Sequence, residues 1–466
     1  MSDFREQRIE KVEMLKQKGI DPFGKKFNKE FSLAYLHDNY EENKQVSSAG
    51  RIMNIRAHGK SIFMDLRDDT CKIQIYFKND DLVSTLDIGD IIGVHGKLTK
   101  TRTGEITIFV EEFTYLAKAL RPLPEKWHGL KDVEIRYRQR YLDLLVNDEV
   151  KNRFLQRSRI IREIRSFLDG KNFIEVETPM MQSIAGGAAA RPFITHHNTL
   201  DMDLYLRIAP ELFLKRLLVG GFEKIYEINR NFRNEGISPR HNPEFTMLEI
   251  YSAYDDYEDM MKLTEDLVSY LIQNVIKADK IKLGENEIDF STPWKRISMY
   301  DAVREYAGID IKNCNLKTLD KKYDLPKSVS PEEVLNIIFE EEVEAKLINP
   351  TFITDYPAIL CPLSKTKKDN PSIAERFEFF IGGQEIANAY SELNNPIEQK
   401  ERFMHQADSR EEGHSYSMDE DFVKALEYGM PPAGGLGIGI DRLVMMLTGV
   451  ENVREVILFP QLRSVE

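Results

Sequence analysis

From about residue 45 to residue 118 apolar residues fall on every second position, and this period of two constrains the fold more than any other feature. Ile62, Met64 and Leu66 alternate with Ser61, Phe63 and Asp65. Ile73, Ile75 and Phe77 alternate with Lys72, Gln74 and Tyr76, and Ile106, Ile108 and Val110 with Glu105, Thr107 and Phe109. Turn signals separate the runs at His58-Gly59-Lys60, Asp68-Asp69 and Thr103-Gly104. Residues two apart point to the same side of a strand, so each run has one apolar and one polar side.

Several such strands in one short stretch predict a small closed β-barrel of the OB type over residues 45–120. Its polar side carries two aromatics, Phe63 and Tyr76, among Asp65, Lys72 and Gln74. Exposed aromatics are common. Aromatics sharing a face with an amide and cations also suit base stacking and edge hydrogen bonds to single-stranded nucleic acid.

Before the barrel, residues 1–44 form a lead-in with a short helix over 3–18, its stripe made by Ile9, Val12 and Leu15. The helix is either a solvated terminal element or a contact to an RNA backbone. Residues 121–150 read as a linker, stiffened by Pro122 and Pro124 and rich in Arg136, Arg138 and Arg140. Arg153, Arg157, Arg159, Arg162 and Arg165 extend this basic run, which either meets phosphates or makes ion pairs. Residues 151–466 read as one large α+β domain with a mainly helical insert over about 255–350. A helix over 152–169 leads into a strand at 172–179 that ends on Pro179. Further strands are expected at 223–233, 245–251 and 376–392, and a strand-to-helix junction at 434–447. Ser330 as cap and Pro331 in the first turn mark the start of another helix.

The 466 residues suffice for two to four domains, and 42% hydrophobic with 30% charged residues excludes a disordered or collagen-like chain. A net charge of −13 argues against a histone-like coating of nucleic acid, though not against a local basic strip. Cys71, Cys314 and Cys361 are widely spaced, which fits a reducing cytoplasm better than a disulfide or zinc framework. The charged N-terminus and the lack of a long apolar run point away from secretion and membrane spanning.

Three segments gather more charge than a fold requires. In residues 231–251 a strand, a loop and a return strand place Arg233 with Glu235 on one strand face, and Phe245, Glu249 and Tyr251 on another. As structure this is an exposed hairpin face; as function, the arginine can fork onto a phosphate while the aromatic stacks on a base. In residues 375–392, Gly382-Gly383 predicts a two-residue hairpin turn. Phe380 would then face Glu385, with Glu378 its diagonal neighbour, near enough for two carboxylates to share a hydrated Mg²⁺. Asn388, Tyr390 and Glu392 fall out of phase with Glu385, so either a bulge intervenes or the loop is longer. Third, Gly434-Gly435-Leu436-Gly437-Ile438-Gly439 lets a ligand lie close to a strand backbone, with Arg442 at the start of a helix beside it.

In combination, FIEVETPM, GGAAARPF, LRIAPELFLKRLLVGGFEKIYEI, NFRNEGISPRHNPEFTMLEIY, RFEFFIGGQEIANAYSELN and GLGIGIDRL resemble the bacterial lysyl-tRNA synthetases, a family of class IIb aminoacyl-tRNA synthetases. The three class II motifs correspond to 152–179, 230–251 and 434–447. The resemblance implies an OB anticodon-binding domain, a catalytic domain on an antiparallel sheet, and a homodimer with Pro179 at its interface. It implies lysine activation by ATP to lysyl-adenylate, then transfer to the 3′-terminal adenosine of tRNA(Lys). Arg233 and Arg442 would be catalytic, with Glu235, His241, Asn242, Phe245 and Glu378 completing the ATP pocket. Glu378 and Glu385 would hold Mg²⁺. Gly187, Glu211, Arg233, Glu249, Tyr251, Asn388, Tyr390 and Glu392 would bind lysine, and Phe63, Gln74 and Glu112 the anticodon. Glu112 falls on the core phase of its strand, so its role needs a strand end or a bulge there.

An aspartyl- or asparaginyl-tRNA synthetase would share the barrel and the motifs, but an anionic substrate would want cations where Glu211 and Glu392 stand. A nucleic-acid binder with a retired catalytic domain would have lost some of Arg233, Glu378, Glu385 and Arg442, and all four are present.

Overall fold

The computed structural model describes residues 2–59, 61–78, 80–124, 130, 132–188, 190–314, 319, 322–323, 325, 329–408 and 419–464. Lys60 of the expected first turn, Ala189 of the GGAAARPF segment, residues 125–129 and 131 of the linker, and 315–318, 320–321, 324 and 326–328 of the insert lie outside these. The chain divides into two units, Met1–Lys131 and Asp132–Glu466.

In the first unit the alternating runs become β1 (Gln45–His58), β2 (Ser61–Arg67), β3 (Lys72–Lys78), β4 (Ile91–Lys100) and β5 (Ile106–Ala117). They close into a barrel in the order β1-β2-β3-β5-β4, antiparallel throughout except for β3 beside β5. The apolar phase fills the interior: Ile62, Met64, Leu66, Ile73, Ile75, Phe77 and Ile108 share one buried cluster. The N-terminal helix, Ser2–Gln17, sends Leu15 into the same cluster. Arg8 and Lys11 of this helix are engaged within the unit. Arg8 donates to the carbonyls of Ala119 (2.8 Å) and Arg121 (3.0 Å), and Lys11 pairs with Asp87 (2.7 Å).

The second unit is organised by an eight-stranded sheet. Its strands are β6 (Ile174–Glu175), β10 (Lys224–Phe232), β11 (Glu244–Ala253), β14 (Lys295–Ser298), β15 (Thr351–Thr354), β16 (Arg376–Ile381), β17 (Gln384–Ser391) and β18 (Ala433–Gly439). Separate small sheets use β7 (Met181–Gln182), β8 (Ile194–His197) and β9 (Met202–Leu206), and β12 (Lys280–Leu283) with β13 (Asn286–Asp289). The large sheet runs β14-β15-β16-β17-β18-β11-β10-β6, antiparallel from β15 to β10 with a parallel pair at each edge. One face packs on the helices Asp148–Asp169, Tyr257–Leu271 and Ile440–Thr448. Leu248 and Ile250 of β11, Leu436 and Ile438 of β18, and Phe377 and Phe379 of β16 point into this core with Ile164, Leu267 and Val444 from the helices. The period of two then leaves Glu249 and Tyr251, Gly435 and Gly437, and Arg376 and Glu378 on the opposite face, where the site lies.

Three sequence expectations are modified. The run 172–179 pairs only at Ile174–Glu175, beside β10, before the chain turns away at Pro179. The stretch 121–150 is helical over Val133–Arg138 and Arg140–Val146, and both helices belong to the second unit. Arginines hid the helical stripe: Arg140 is fully buried, paired with Asp143 (2.6 Å) and donating to the carbonyls of Arg454 (2.7 Å) and Leu458 (3.1 Å). Third, residues 255–350 also supply the hairpin β12–β13 and the sheet strand β14, and the helix Tyr257–Leu271 is part of the main core. The helix begun by Ser330 and Pro331 is capped by Ser330 as expected, and Glu333 completes a reciprocal cap.

Because Leu267 is fully buried between helix and sheet, Leu267→Ala removes its contacts and leaves a cavity. The second unit is expected to lose about 2–5 kcal/mol, read as a lowered urea midpoint by far-UV circular dichroism.

Candidate active site

The hairpin β16–β17 sets the acidic end of the site. Gly382 and Gly383 both take positive φ (61° and 70°), which gives the two-residue turn, and Phe380 faces Glu385. The register then slips: Phe379 faces Ala387 and Glu378 faces Asn388. This bulge at Ile386 brings Asn388, Tyr390 and Glu392 onto the same side as Glu385, which removes the phase conflict in the sequence. Glu378 accepts from the Tyr356 hydroxyl (2.8 Å) and pairs with Arg376. Burial pushes its carboxyl up to about 7; Arg376 opposes this and the Glu385 carboxylate adds to it. Glu344, which sequence reasoning missed, is likewise raised to about 7 by burial and by Glu378, Glu340 and Glu385.

Arg233 leaves the end of β10, and its backbone N–H bonds the Pro243 carbonyl (2.9 Å), pinning the loop between the two strands. Its guanidinium lies 5.1 Å from the centre of the Phe245 ring, and its buried Nε has no hydrogen-bond partner among the described residues. Asn242 donates to the Glu244 carbonyl (2.6 Å). His241 sits between Ser238 (2.9 Å) and Arg442 (3.1 Å). Burial, then Arg442, lowers its pKa, so the neutral ring accepts from the guanidinium. Arg442 also donates to the Glu385 carbonyl (2.9 Å) from the first turn of the helix Ile440–Thr448. Asp441 anchors that turn: its carboxylate accepts from the Thr246 N–H (2.8 Å) and pairs with Arg157 (2.6 Å).

At the other end Glu211, Glu249, Tyr251 and Glu392 converge, all nearly inaccessible to solvent. Glu211 opens the helix Glu211–Val219, and one turn later Lys215, fully buried, bridges Glu211 (2.6 Å) and Glu392 (2.5 Å). Burial alone would lower the Lys215 pKa, but Glu211 and Glu392 raise it, and the ammonium stays charged. Glu249 has no such partner. Burial, and then the fields of Glu211 and Glu392, push its carboxyl up to about 8. Gly435 is required by this crowding: a Cβ there would stand 1.8 Å from Glu392 Oε1 and 2.7 Å from the Tyr251 ring.

These groups line two adjoining cavities. The first, about 420 Å³, is walled by Gly187, Glu211, Arg233, Glu249, Tyr251, Glu378, Glu385, Asn388, Tyr390 and Glu392. The second, about 210 Å³, is walled by Arg233, Glu235, His241, Asn242, Phe245, Glu385 and Arg442. Arg233, Met247, Glu385, Asn388 and Gly437 border both, so one site has an acidic chamber and an arginine-lined chamber with an aromatic wall. Lys215, Arg376, Tyr356 and Asp441 are the supporting groups that sequence reasoning missed. Lys215 did leave a signal, a lysine four residues after Glu211 within the apolar run LFLKRLL.

On the barrel, Phe63, Tyr76 and Phe109 form an aromatic ladder across β2, β3 and β5, with ring centres 5.2 Å and 4.5 Å apart. Gln74 is buried, accepting from Thr107 (2.9 Å) and donating to Glu105 (3.2 Å). The pairing of β4 with β5 slips between His95 and Gly96, and this bulge turns Glu112, opposite His95, out to solvent.

Residues 132–463 match the family described as tRNA synthetases class II (D, K and N), and residues 46–116 match the OB-fold nucleic acid binding domain. The chain belongs to the class II tRNA synthetases of this group and is an aminoacyl-tRNA ligase. It is 56% identical to a protein named Lysine--tRNA ligase from Pelotomaculum thermopropionicum, over 98% of this chain and 94% of that protein. Likewise named are proteins of Carboxydothermus hydrogenoformans, 55% identical over 98% and 97% of the two chains, and Moorella thermoacetica, 51% identical over 100% and 99%.

Gly435→Ala should displace Glu392 or Tyr251 by about an ångström while leaving the fold intact. Amino-acid-dependent ATP–pyrophosphate exchange is expected to fall about 100-fold, with circular dichroism unchanged.

Proposed function

We propose that this chain is a lysine-specific ligase, using ATP to form lysyl-adenylate and pyrophosphate and then charging the 3′-terminal adenosine of tRNA(Lys). The observation that carries the reading is the acidic chamber: three buried glutamates, Glu211, Glu249 and Glu392, converge there, and one buried lysine pairs with only two of them. An aspartate or asparagine side chain would leave those charges unanswered, whereas the two ammonium groups of lysine answer them. In this reading Glu392 with Tyr251 receives the ε-ammonium, Glu211 the α-amino group, and Arg233 the carboxylate.

Phe245 stacks on the adenine, while Glu235, His241 and Asn242 shape the rest of the nucleotide pocket. The lysine carboxylate attacks the α-phosphorus in line with the departing pyrophosphate. Arg233 and Arg442 hold the phosphates, so positioning and electrostatics supply the acceleration and no side chain becomes a covalent nucleophile. The residues present fit a hydrated Mg²⁺. Glu378 and Glu385 border one chamber, and the Glu378 carboxyl is raised first by burial and then by the like charge of Glu385, which a cation between them would relieve. Among the described residues no three His, Cys, Asp or Glu side chains form a metal cage, so such an ion would lean on these two carboxylates, waters and substrate phosphates. Bound there, Mg²⁺ would neutralise charge on the phosphates.

On the barrel, Phe63, Gln74 and Glu112 form the proposed anticodon reader, supported by the aromatic ladder and the exposed, bulged Glu112. A homodimer is supported by Ile174, Met180 and Met181, apolar residues exposed around Pro179. No helix of the described residues is long and apolar enough to cross a membrane. We place the enzyme in the cytoplasm, where its tRNA substrate is made.

The deciding experiment is ATP–pyrophosphate exchange with each of the twenty amino acids, without tRNA. Exchange with lysine alone is expected, and exchange with aspartate or asparagine instead would overturn the assignment. Glu385→Gln should cut Mg²⁺-dependent exchange by roughly 100-fold or more in a folded protein. Phe63→Ala should raise the KM for tRNA(Lys) in aminoacylation and leave exchange untouched. The pH dependence follows from Glu249: its carboxyl, raised to about 8, must lose a proton before it can face an ammonium. The KM for lysine should therefore fall as pH rises from about 6.5 to about 8.5, by up to tenfold per unit below the carboxyl pKa.

A further inference from the structure

The acidic chamber contains a cation that the proposed chemistry does not use. Lys215 is wholly buried behind the chamber wall, with Nζ 2.6 Å from Glu211 and 2.5 Å from Glu392. The other oxygen of Glu392, Oε1, has no hydrogen-bond partner among the described residues, and Glu392 lines the cavity. An isolated ammonium is among the costliest groups to bury, and a core helix of Leu212, Leu214 and Leu218 needs none.

We propose that Lys215 is a positioning residue for substrate choice: a buried countercharge that clamps Glu211 and Glu392 so that the chamber accepts a ligand carrying one net positive charge. The inference rests on reading the chamber as the amino-acid pocket. Charge counting supports it. With all groups ionised, Glu211, Glu249 and Glu392 contribute three negative charges and Lys215 and Arg233 two positive ones, leaving −1; Glu378 and Glu385 border the same cavity, but their ion pairs with Arg376 and Arg442 cancel them. Lysine, with two ammonium groups and one carboxylate, brings +1. In the empty chamber the surplus negative charge is relieved by the proton on Glu249, which the ligand displaces.

The other groups acting here are Tyr251 from β11 and Tyr390 from β17, both neutral in this setting because burial and the glutamates raise their pKa, and Lys365, which acts on Glu392. None replaces Lys215, which alone among the described residues forms an ion pair with Glu392. Without it the surplus becomes −2, and a second carboxylate must take up a proton that lysine then has to expel. Two consequences differ from those of a purely structural lysine. Lysine binding weakens selectively, and it becomes more steeply dependent on pH.

The test is Lys215→Met in ATP–pyrophosphate exchange across pH, with calorimetry of lysine binding in two buffers of different ionisation enthalpy. The KM for lysine should rise roughly tenfold or more, with the KM for ATP within about twofold of wild type. The midpoint of the lysine KM profile should move up by about 1–3 pH units, and more protons should be released per lysine bound. Lys215→Arg keeps the charge and should retain the wild-type midpoint. Should Lys215→Met fail to fold, that comparison decides: a folded Lys215→Arg enzyme with a displaced midpoint overturns the proposal. An unshifted profile in Lys215→Met, or equal losses in both KM values with lowered stability, overturns it as well. Absence of lysine-dependent exchange in the wild-type enzyme would instead sink the reading of the chamber.

Discussion

A sheet with both faces buried can carry charges on one of them only where each charge meets a partner or a ligand. In the second unit one face is sealed by Leu248, Ile250, Leu436, Ile438, Phe377 and Phe379 against three helices. The same strands therefore turn Glu249, Tyr251, Arg376 and Glu378 into an enclosed site, where a lone charge is expensive. Pairing organises most of that polar face. Arg376 with Tyr356 steadies Glu378, Lys215 steadies Glu211 and Glu392, and Asp441 ties the β11 backbone and Arg157 to the helix that carries Arg442. Polar atoms still without a partner, among them the Nε of Arg233 and the Oε1 of Glu392, belong to residues that line the cavities, and that is how a pocket prepared for a polar ligand differs from a filled core.

Much of this was legible in the sequence because strand periodicity is rigid. A period of two separates Phe63 and Tyr76 from Ile62 and Ile75 without further information, and it separates Glu249 from Leu248 in the same way. The bulge at Ile386 could be inferred only as a conflict of phase, since nothing local distinguishes a bulged isoleucine from a paired one. The bulge that exposes Glu112 was visible in the same indirect form. Lys215 and Asp441 were missed for another reason: Glu392, Thr246 and Arg157, which show what they hold, come from elements far away in the chain, and the i,i+4 spacing of Glu211 and Lys215 reads equally well as an ordinary helix-surface pair.

The basic run from Arg136 to Arg165 shows how composition misleads when partners are unseen. As sequence it fits a phosphate-binding strip as well as it fits ion pairs. In the fold Arg136 and Arg153 both reach Glu455, Arg140 is enclosed with Asp143, Arg157 holds Asp441, and Arg165 holds Glu175. These arginines tie the helices ahead of the sheet to the C-terminal segment and to the strand edges, all within the second unit. The exposed pair with Glu175 adds little stability. The enclosed ones matter chiefly because losing either member would strand the other without water.

The same asymmetry explains how an acidic chamber can discriminate among amino acids. Hydrophobic pockets separate substrates that differ by one methylene by only about 1–3 kcal/mol. A chamber whose glutamates are already desolvated penalises any side chain that leaves them unanswered, and that penalty exceeds a methylene's worth of contact. Neutral analogues of lysine should therefore be rejected at activation, with no need for a second, hydrolytic check. The harder competitors are shorter diamino acids, which bring the right charge to the wrong depth. Against them the chamber relies on the fixed positions of Glu392 and Tyr251, and so on the bare backbone at Gly435 and the clamp at Lys215.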